Sequence, residues 1–222
     1  MSRALEAPLR AGLHTLGLVL NHGQVAALLD YLGLIQKWTR VYNLTAVRDP
    51  QEMLTHHLLD SLAVIGPMRK QLAALGLGES LRVLDVGSGA GLPGVVLAIC
   101  CPALMVHCVD TVAKKAAFVQ QVAVSLQLQN LRGVHARVES LTEPYDLVCS
   151  RAFASLADFT AWSSAALAPK GLWMAMKGKD PQSEIDALGD EVRVFHVEPL
   201  AVPGLDADRC LVWMRRAQGP LT

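Results

Sequence analysis

Four glycines fall within eight positions of the run Val83-Leu84-Asp85-Val86-Gly87-Ser88-Gly89-Ala90-Gly91-Leu92-Pro93-Gly94. An apolar, strand-like segment carrying one carboxylate breaks abruptly into a bend, and an apolar helical segment follows. Glycine permits positive φ and leaves bare peptide against which a ligand can lie. Gly87, Ser88, Gly89 and Gly91, in the bend itself, are therefore candidate ligand contacts. Pro93 suits the first turn of the next helix, where its missing N–H would have been unpaired anyway. A strand, a glycine bend and a helix in this order begin an α/β domain.

The rest of the chain continues the alternation. Strand-like runs fall at 81–86, 105–109, 131–135, 145–149 and 171–176, with helical stretches at 93–100, 112–127 and 155–168. Such an order predicts a parallel sheet with right-handed crossovers and ligands at the carboxyl ends of its strands. Two further strand-like runs, 191–198 and 209–215, are separated by Pro199, Pro203 and Gly204. They predict a terminal antiparallel pair, which marks the methyltransferase version of this architecture more than the dehydrogenase version. The expected fold is thus the class I methyltransferase fold, Rossmann-like, with a mostly parallel seven-stranded sheet. Two helices are expected before it: 24–41, with apolar residues on a helical stripe, and a second capped by Asp49-Pro50 and running through Ile65. The expected division is an N-terminal helical extension, 1–78, packed on a methyltransferase domain, 79–222.

Composition narrows the setting. Over 222 residues, 52% hydrophobic and 18% charged content describes a globular chain with a filled core. Arg3, Glu6 and Arg10 interrupt the N-terminus, so no signal peptide is expected. The apolar stretch 95–109, broken by Pro102 and His107, is too short to span a bilayer. Cys100, Cys101, Cys108, Cys149 and Cys210 follow no metal-ligand spacing and read as buried free thiols in a reducing cytoplasm. No metal and no membrane partner are expected, and the chain is expected to act as a monomer. Net charge is zero, which argues against a protein that holds nucleic acid by overall electrostatics. Its distribution is uneven: Asp110 to Ser140 carries four basic and two acidic residues, and Arg151 to Lys179 four basic against Asp158 alone. From Asp180 onward eight acidic residues outnumber four basic ones. The basic excess flanks the expected ligand site and suits an anionic substrate.

Individual residues sharpen the chemistry. Asp85, two residues before the first glycine, would repel a pyrophosphate but can hold the ammonium of an amino-acid-bearing cofactor. S-adenosylmethionine has that group and the dinucleotides lack it. Gly89 to Gly94 also reads as the dinucleotide fingerprint G-x-G-x-x-G, but Gly87 and Ser88 stand between the strand and its first glycine. Asp110 ends the second strand, where a carboxylate can accept both ribose hydroxyls or cap the following helix. Lys114 and Lys115 face either phosphate or solvent. Val138, after the third strand, is placed to cover an adenine beside Glu139, unless this is a plain loop. Ser150 and Arg151 close the fourth strand and are the candidates for the chemical step, whose residues are otherwise unassigned. Lys177-Gly178-Lys179 lacks the spacing of a phosphate-binding P-loop. His56, His57 and Asp60 read as polar contacts between the opening helices and the sheet. Trp38, Trp162, Trp173 and Trp213 are assigned to the core by default.

These blocks resemble the RsmG (GidB) family. Lys37-Trp38, Tyr42-Asn43-Leu44-Thr45, Arg48-Asp49-Pro50, His57 and Leu59-Asp60-Ser61 begin the likeness. Asp85 through Gly94, Arg137-Val138-Glu139, Ser150-Arg151-Ala152-Phe153-Ala154 and Lys177-Gly178 continue it, over about residues 25 to 215. The resemblance implies a bacterial cytoplasmic enzyme that methylates N7 of a guanine in 16S ribosomal RNA, free or within a small-subunit precursor. It further implies that Gly87, Leu92, Val138, Glu139 and Arg151 contact S-adenosylmethionine. The residues alone leave three rivals: a methyltransferase of small molecules or proteins, a nicotinamide-dependent oxidoreductase, and a non-catalytic RNA-binding assembly factor.

Overall fold

The computed structural model describes residues 2–178 and 180–217. Lys179, counted in the basic excess above, lies outside them. Seven strands form one sheet in the order β3-β2-β1-β4-β5-β7-β6. They are β1 (Arg82–Val86), β2 (Met105–Asp110), β3 (Leu131–His135), β4 (Tyr145–Arg151), β5 (Leu167–Lys177), β6 (Val192–Pro199) and β7 (Cys210–Arg216). The first five are mutually parallel, and β7 runs antiparallel to both β5 and β6. The sheet order reverses beside β1, so the carboxyl ends of β1 and β4 open a crevice there.

The helical elements are α1 (Ser2–Thr15), α2 (His22–Tyr42), α3 (Pro50–Met53), a π-helical segment Leu54–Leu59, α4 (Asp60–Leu62), α5 (Ile65–Ala74), α6 (Gly94–Cys100), α7 (Ala113–Ser125), α8 (Leu156–Ser163) and α9 (Gln182–Asp186). The Asn21 side chain accepts from Gln24 N while Gln24 Oε1 accepts from Asn21 N, a reciprocal cap that starts α2. Asp49 Oδ1 accepts from the N–H groups of Gln51 and Glu52, and Pro50 follows as the first helical residue. α1 has no counterpart in the sequence reading. Its buried Leu5, Leu9 and Leu13 repeat every fourth residue, a pattern interrupted in sequence by Pro8. The helix after Pro50 also differs from expectation, because it widens into π geometry at 54–59 and breaks before Ile65.

Alternation along the strands divides the core into two layers. Val83, Leu147, Cys149 and Met174 belong to a layer shared with α2, α5, α6 and α7, whereas Leu84, Val148 and Trp173 belong to the layer beneath α8. Every residue of α6 is buried. A helix apolar on all sides must be covered on all sides, and α2 and α4 cover the side that the sheet does not. The opening helices therefore complete the core under the glycine bend. Among the described residues no helix is long and apolar enough to cross a membrane, and no group of three or more potential ligands could hold a metal ion.

Candidate active site

A cleft of about 720 Å³ opens at the carboxyl ends of β1 to β4, lined among others by Gly87, Asp110, Val112, Lys115, Val138 and Glu139, with Phe153 and Trp162 on its far wall. Its size suits a cofactor, since such sites span roughly 300–1,000 Å³. Trp162, assigned to the core from sequence, is 41% exposed. It lies at the exposed end of α8, edge-on to Phe153 with ring centroids 5.8 Å apart.

The glycines have different tasks. Gly87, at φ +65°, lies under the Phe153 ring, so a side chain there would collide with it. Gly89, at φ +58°, has open space where a Cβ would project, with only Gly87 O in reach at 4.0 Å. Gly91 and Gly94 are crowded instead by Val95, and by Cys108 and Asp85. The bend is closed by Ser88 O, which accepts from Gly91 N at 2.8 Å and Leu92 N at 3.1 Å. Leu92 is buried in the layer toward α6. Pro93 stands immediately before α6, not in its first turn, so the helix starts one residue later than the sequence suggests. From α2, the Tyr31 hydroxyl donates to Ala90 O at 2.6 Å and fixes the outer side of the bend.

Asp85 is fully buried, and its Oδ2 accepts from Gly94 N at 2.8 Å. Its Oδ1 has no partner, and neither does the buried Ser88 hydroxyl. Burial raises the Asp85 pKa to about 7, although the Gly94 N–H and the charge of Arg151 both oppose the shift. Asp110 accepts from Gly89 N at 3.0 Å and from Val112 N at 2.8 Å, with Lys115 Nζ at 3.7 Å. It is not the helix cap, because α7 starts only at Ala113 and Val112 precedes it. Val138 is buried, while exposed Glu139 pairs with Arg137 at 3.0 Å. The backbone N–H of Glu139 and the Arg137 side chain pull its pKa down.

Ser150 is buried on β4 in register with Val86 of β1. Arg151 is tied to the opening helices. Its Nη1 donates to Asp60 Oδ2 and to His56 O, both at 2.7 Å. Arg209 Nε, just before β7, donates to Asp60 Oδ1 at 3.0 Å. One buried carboxylate thus holds two guanidinium groups. His57 is buried, with Nε2 3.0 Å from Thr45 Oγ1 and Nδ1 unpaired. Burial and the charge of Arg151 lower its pKa to about 4. Lys177 donates to Ala154 O at 2.9 Å and pairs with Glu184 at 2.8 Å, which ties it to the loop after β4 and to α9.

Comparison with known proteins identifies the scaffold. Residues 24–212 match the family model described as GidB, rRNA small subunit methyltransferase G. The chain belongs to this family. It is 68% identical to the ribosomal RNA small subunit methyltransferase G of Albidiferax ferrireducens, over 97% of this chain and 99% of that protein. Among solved structures, TrmN from Thermus thermophilus superimposes with a TM-score of 0.53 at 17% identity, covering 67% of this chain and 48% of that one. A SAM-dependent methyltransferase from Aquifex aeolicus gives 0.50 at 18%, covering 66% and 88%. The likeness to these distant structures establishes the class I methyltransferase fold. Membership in the methyltransferase family replaces the nicotinamide reading of Gly89 to Gly94. Of the residues that hold this end of the sheet together, Tyr31 has no role in the sequence analysis and Arg209 appears there only as the start of a strand-like run. Asp60 appeared only as a contact, since its link to Arg151 spans 91 positions of chain.

Proposed function

We propose that this chain transfers a methyl group from S-adenosylmethionine to N7 of a guanine in 16S ribosomal RNA, in the bacterial cytoplasm. The observation that carries the reading is the unpartnered, buried Asp85 Oδ1, within the field of a guanidinium, Arg151, that shares the Asp60 carboxylate with Arg209. The amino-acid end of the cofactor bears an ammonium and a carboxylate, which match these two groups in sign. Asp110 offers its carboxylate to a ribose, Val138 an apolar face to the adenine, and Gly89 bare peptide. When bound, S-adenosylmethionine supplies an electrophilic methyl group on sulfur. Guanine N7 presents an in-plane lone pair and loses no proton, so the residues need no general base. Their task is to orient donor and acceptor in line. Ser150 is a candidate contact to the guanine, and Arg151 orients the cofactor's carboxyl end.

The test is transfer of labelled methyl to naked 16S RNA and to small subunits from cells lacking the gene, with the modified base mapped. Label at a guanine N7 supports the proposal. Label at another atom refutes the specificity, and no label on any ribosomal RNA refutes the function. Equilibrium dialysis separates the cofactor claim: the wild-type protein retains S-adenosylmethionine, and Arg151→Ala retains distinctly less.

A further inference from the structure

The C-terminal end of α2 has features that the cofactor site does not use. Tyr42 is 45% exposed and Val41 69% exposed, while Asn43 closes the helix in the left-handed region at φ 51°. The Tyr42 ring leans on Trp38 with centroids 5.0 Å apart and planes tilted by 40°, so it is held on one side while the residue stays exposed. Two cations converge on this end from different elements. Lys114 Nζ of α7 lies 3.4 Å from Tyr42 O, and Arg48 Nη2 donates to Asn43 Oδ1 at 2.9 Å. Both partners are neutral, and among the described residues neither cation meets a carboxylate. Arg82, Arg137, Lys177 and Arg209, by contrast, are each paired with one. The location matters equally: Lys114 lies between Val112 and Lys115, and both of these line the cleft.

We propose that Tyr42, Lys114 and Arg48 form a docking platform for a single-stranded segment of the acceptor RNA beside the cleft. The tyrosine ring stacks one nucleobase, and the two cations neutralise the phosphates on either side of it. A fixed aromatic face flanked by uncompensated positive charge is the combination by which proteins hold unpaired nucleic acid. The inference rests on RNA being the acceptor. Its rival is a purely structural role, in which Lys114 only satisfies the last carbonyl of α2 and Arg48 only holds the side chain of its cap, Asn43.

Fluorescence anisotropy with labelled 16S RNA transcript distinguishes these. Tyr42→Leu is expected to weaken RNA binding about tenfold, and Tyr42→Phe to restore it. In Lys114→Gln with Arg48→Gln, the slope of log affinity against log salt should become shallower by roughly 0.7 per lost phosphate contact. Lys170→Gln, on β5 away from the cleft end of the sheet, should bind like the wild type. Equilibrium dialysis should find cofactor retention unchanged in all of them. Wild-type RNA affinity and salt slope in variants that keep their circular dichroism would overturn the platform. Should Tyr42→Leu fail to fold, Arg48→Gln, an exposed loop substitution, decides alone. A wild-type protein that methylates RNA beside unaffected variants defeats only this inference; one that neither binds nor methylates RNA defeats the function on which it rests.

Discussion

Asp60 is the residue on which most of the site's geometry turns. It is buried, accepts from Arg151 and Arg209, and stands in the helical segment that precedes the sheet. Removing its charge would leave two guanidinium groups facing each other with no anion between them. Breaking a buried pair in this way costs about 3–5 kcal/mol. Asp60→Asn is therefore expected to lose about 3 kcal/mol in urea denaturation and to weaken cofactor retention together with it. An unchanged unfolding midpoint would contradict the role. Asp85 and His57 set the pH dependence. Asp85 titrates at 3.8 when unperturbed and at about 7 here, so the folded state keeps a proton that the unfolded chain releases. Its contribution to stability is full below about pH 4 and is lost as pH rises to about 7. His57, lowered from 6.5 to about 4, acts oppositely: its contribution is present above pH 6.5 and is lost as pH falls toward 4. The two oppose each other between about pH 4 and 6.5. In ligand-free Asp85→Asn only the histidine remains, so stability should climb with pH across that window more steeply than in the wild type. Chemical denaturation at several pH values measures the difference, and parallel curves would refute the assignment.

At the scale of elements, the glycine bend shows how similar residues acquire different tasks. Alanine at Gly89 meets open space and suffers mainly the positive φ, a cost of about 1–2 kcal/mol. Alanine at Gly87 has the same backbone problem and must also displace Phe153. Thermal melting should rank Gly87→Ala below Gly89→Ala, while Gly89→Ala should lose cofactor affinity out of proportion to its stability. The opposite ranking would mean that Phe153 yields freely. The strands and α6 to α8 were readable in the sequence because buried alternation and proline or glycine punctuation are local signals. β5 begins at Leu167, four residues earlier than its pattern suggests, and its register with β4 shifts between Tyr145 and Leu147. α1 and the π segment escaped notice for a related reason. Pro8 disguises the first, and the second, Leu54–Leu59 with buried His57, Leu58 and Leu59, has no proline or glycine to mark its change of hydrogen bonding.

For the whole molecule, the opening helices and one face of the sheet share a single hydrophobic cluster. A boundary near residue 78 therefore separates sequence patterns more than packing units. Removing residues 1–78 would expose α6 on the side that α2 and α4 now cover, and would also delete Tyr31 and Asp60. The truncated chain should aggregate or show no cooperative thermal transition by circular dichroism. A soluble fragment that unfolds cooperatively would show that the sheet domain is self-sufficient. The zero net charge has a related consequence. The RNA contact proposed above therefore has to be local, from cations such as Lys114 and Arg48, and not a property of the surface as a whole.

Composition and short-range order determined the strand–bend–helix at Val83 to Gly94, the parallel sheet with its reversed last pair, and the carboxylates of Asp85 and Asp110. The bend and the carboxylates follow from residues close together in the chain, and the sheet follows from the order in which strand and helix patterns succeed one another. Tertiary structure alone decided that Arg151 is held by Asp60 and Arg209, that Tyr31 fixes the glycine bend, that Trp162 stands open to the cleft, and that Lys114 meets the end of α2. Those contacts join residues brought together only when the sheet closes on its helices, and the side-chain charges and spacings along the chain carry no record of that distance.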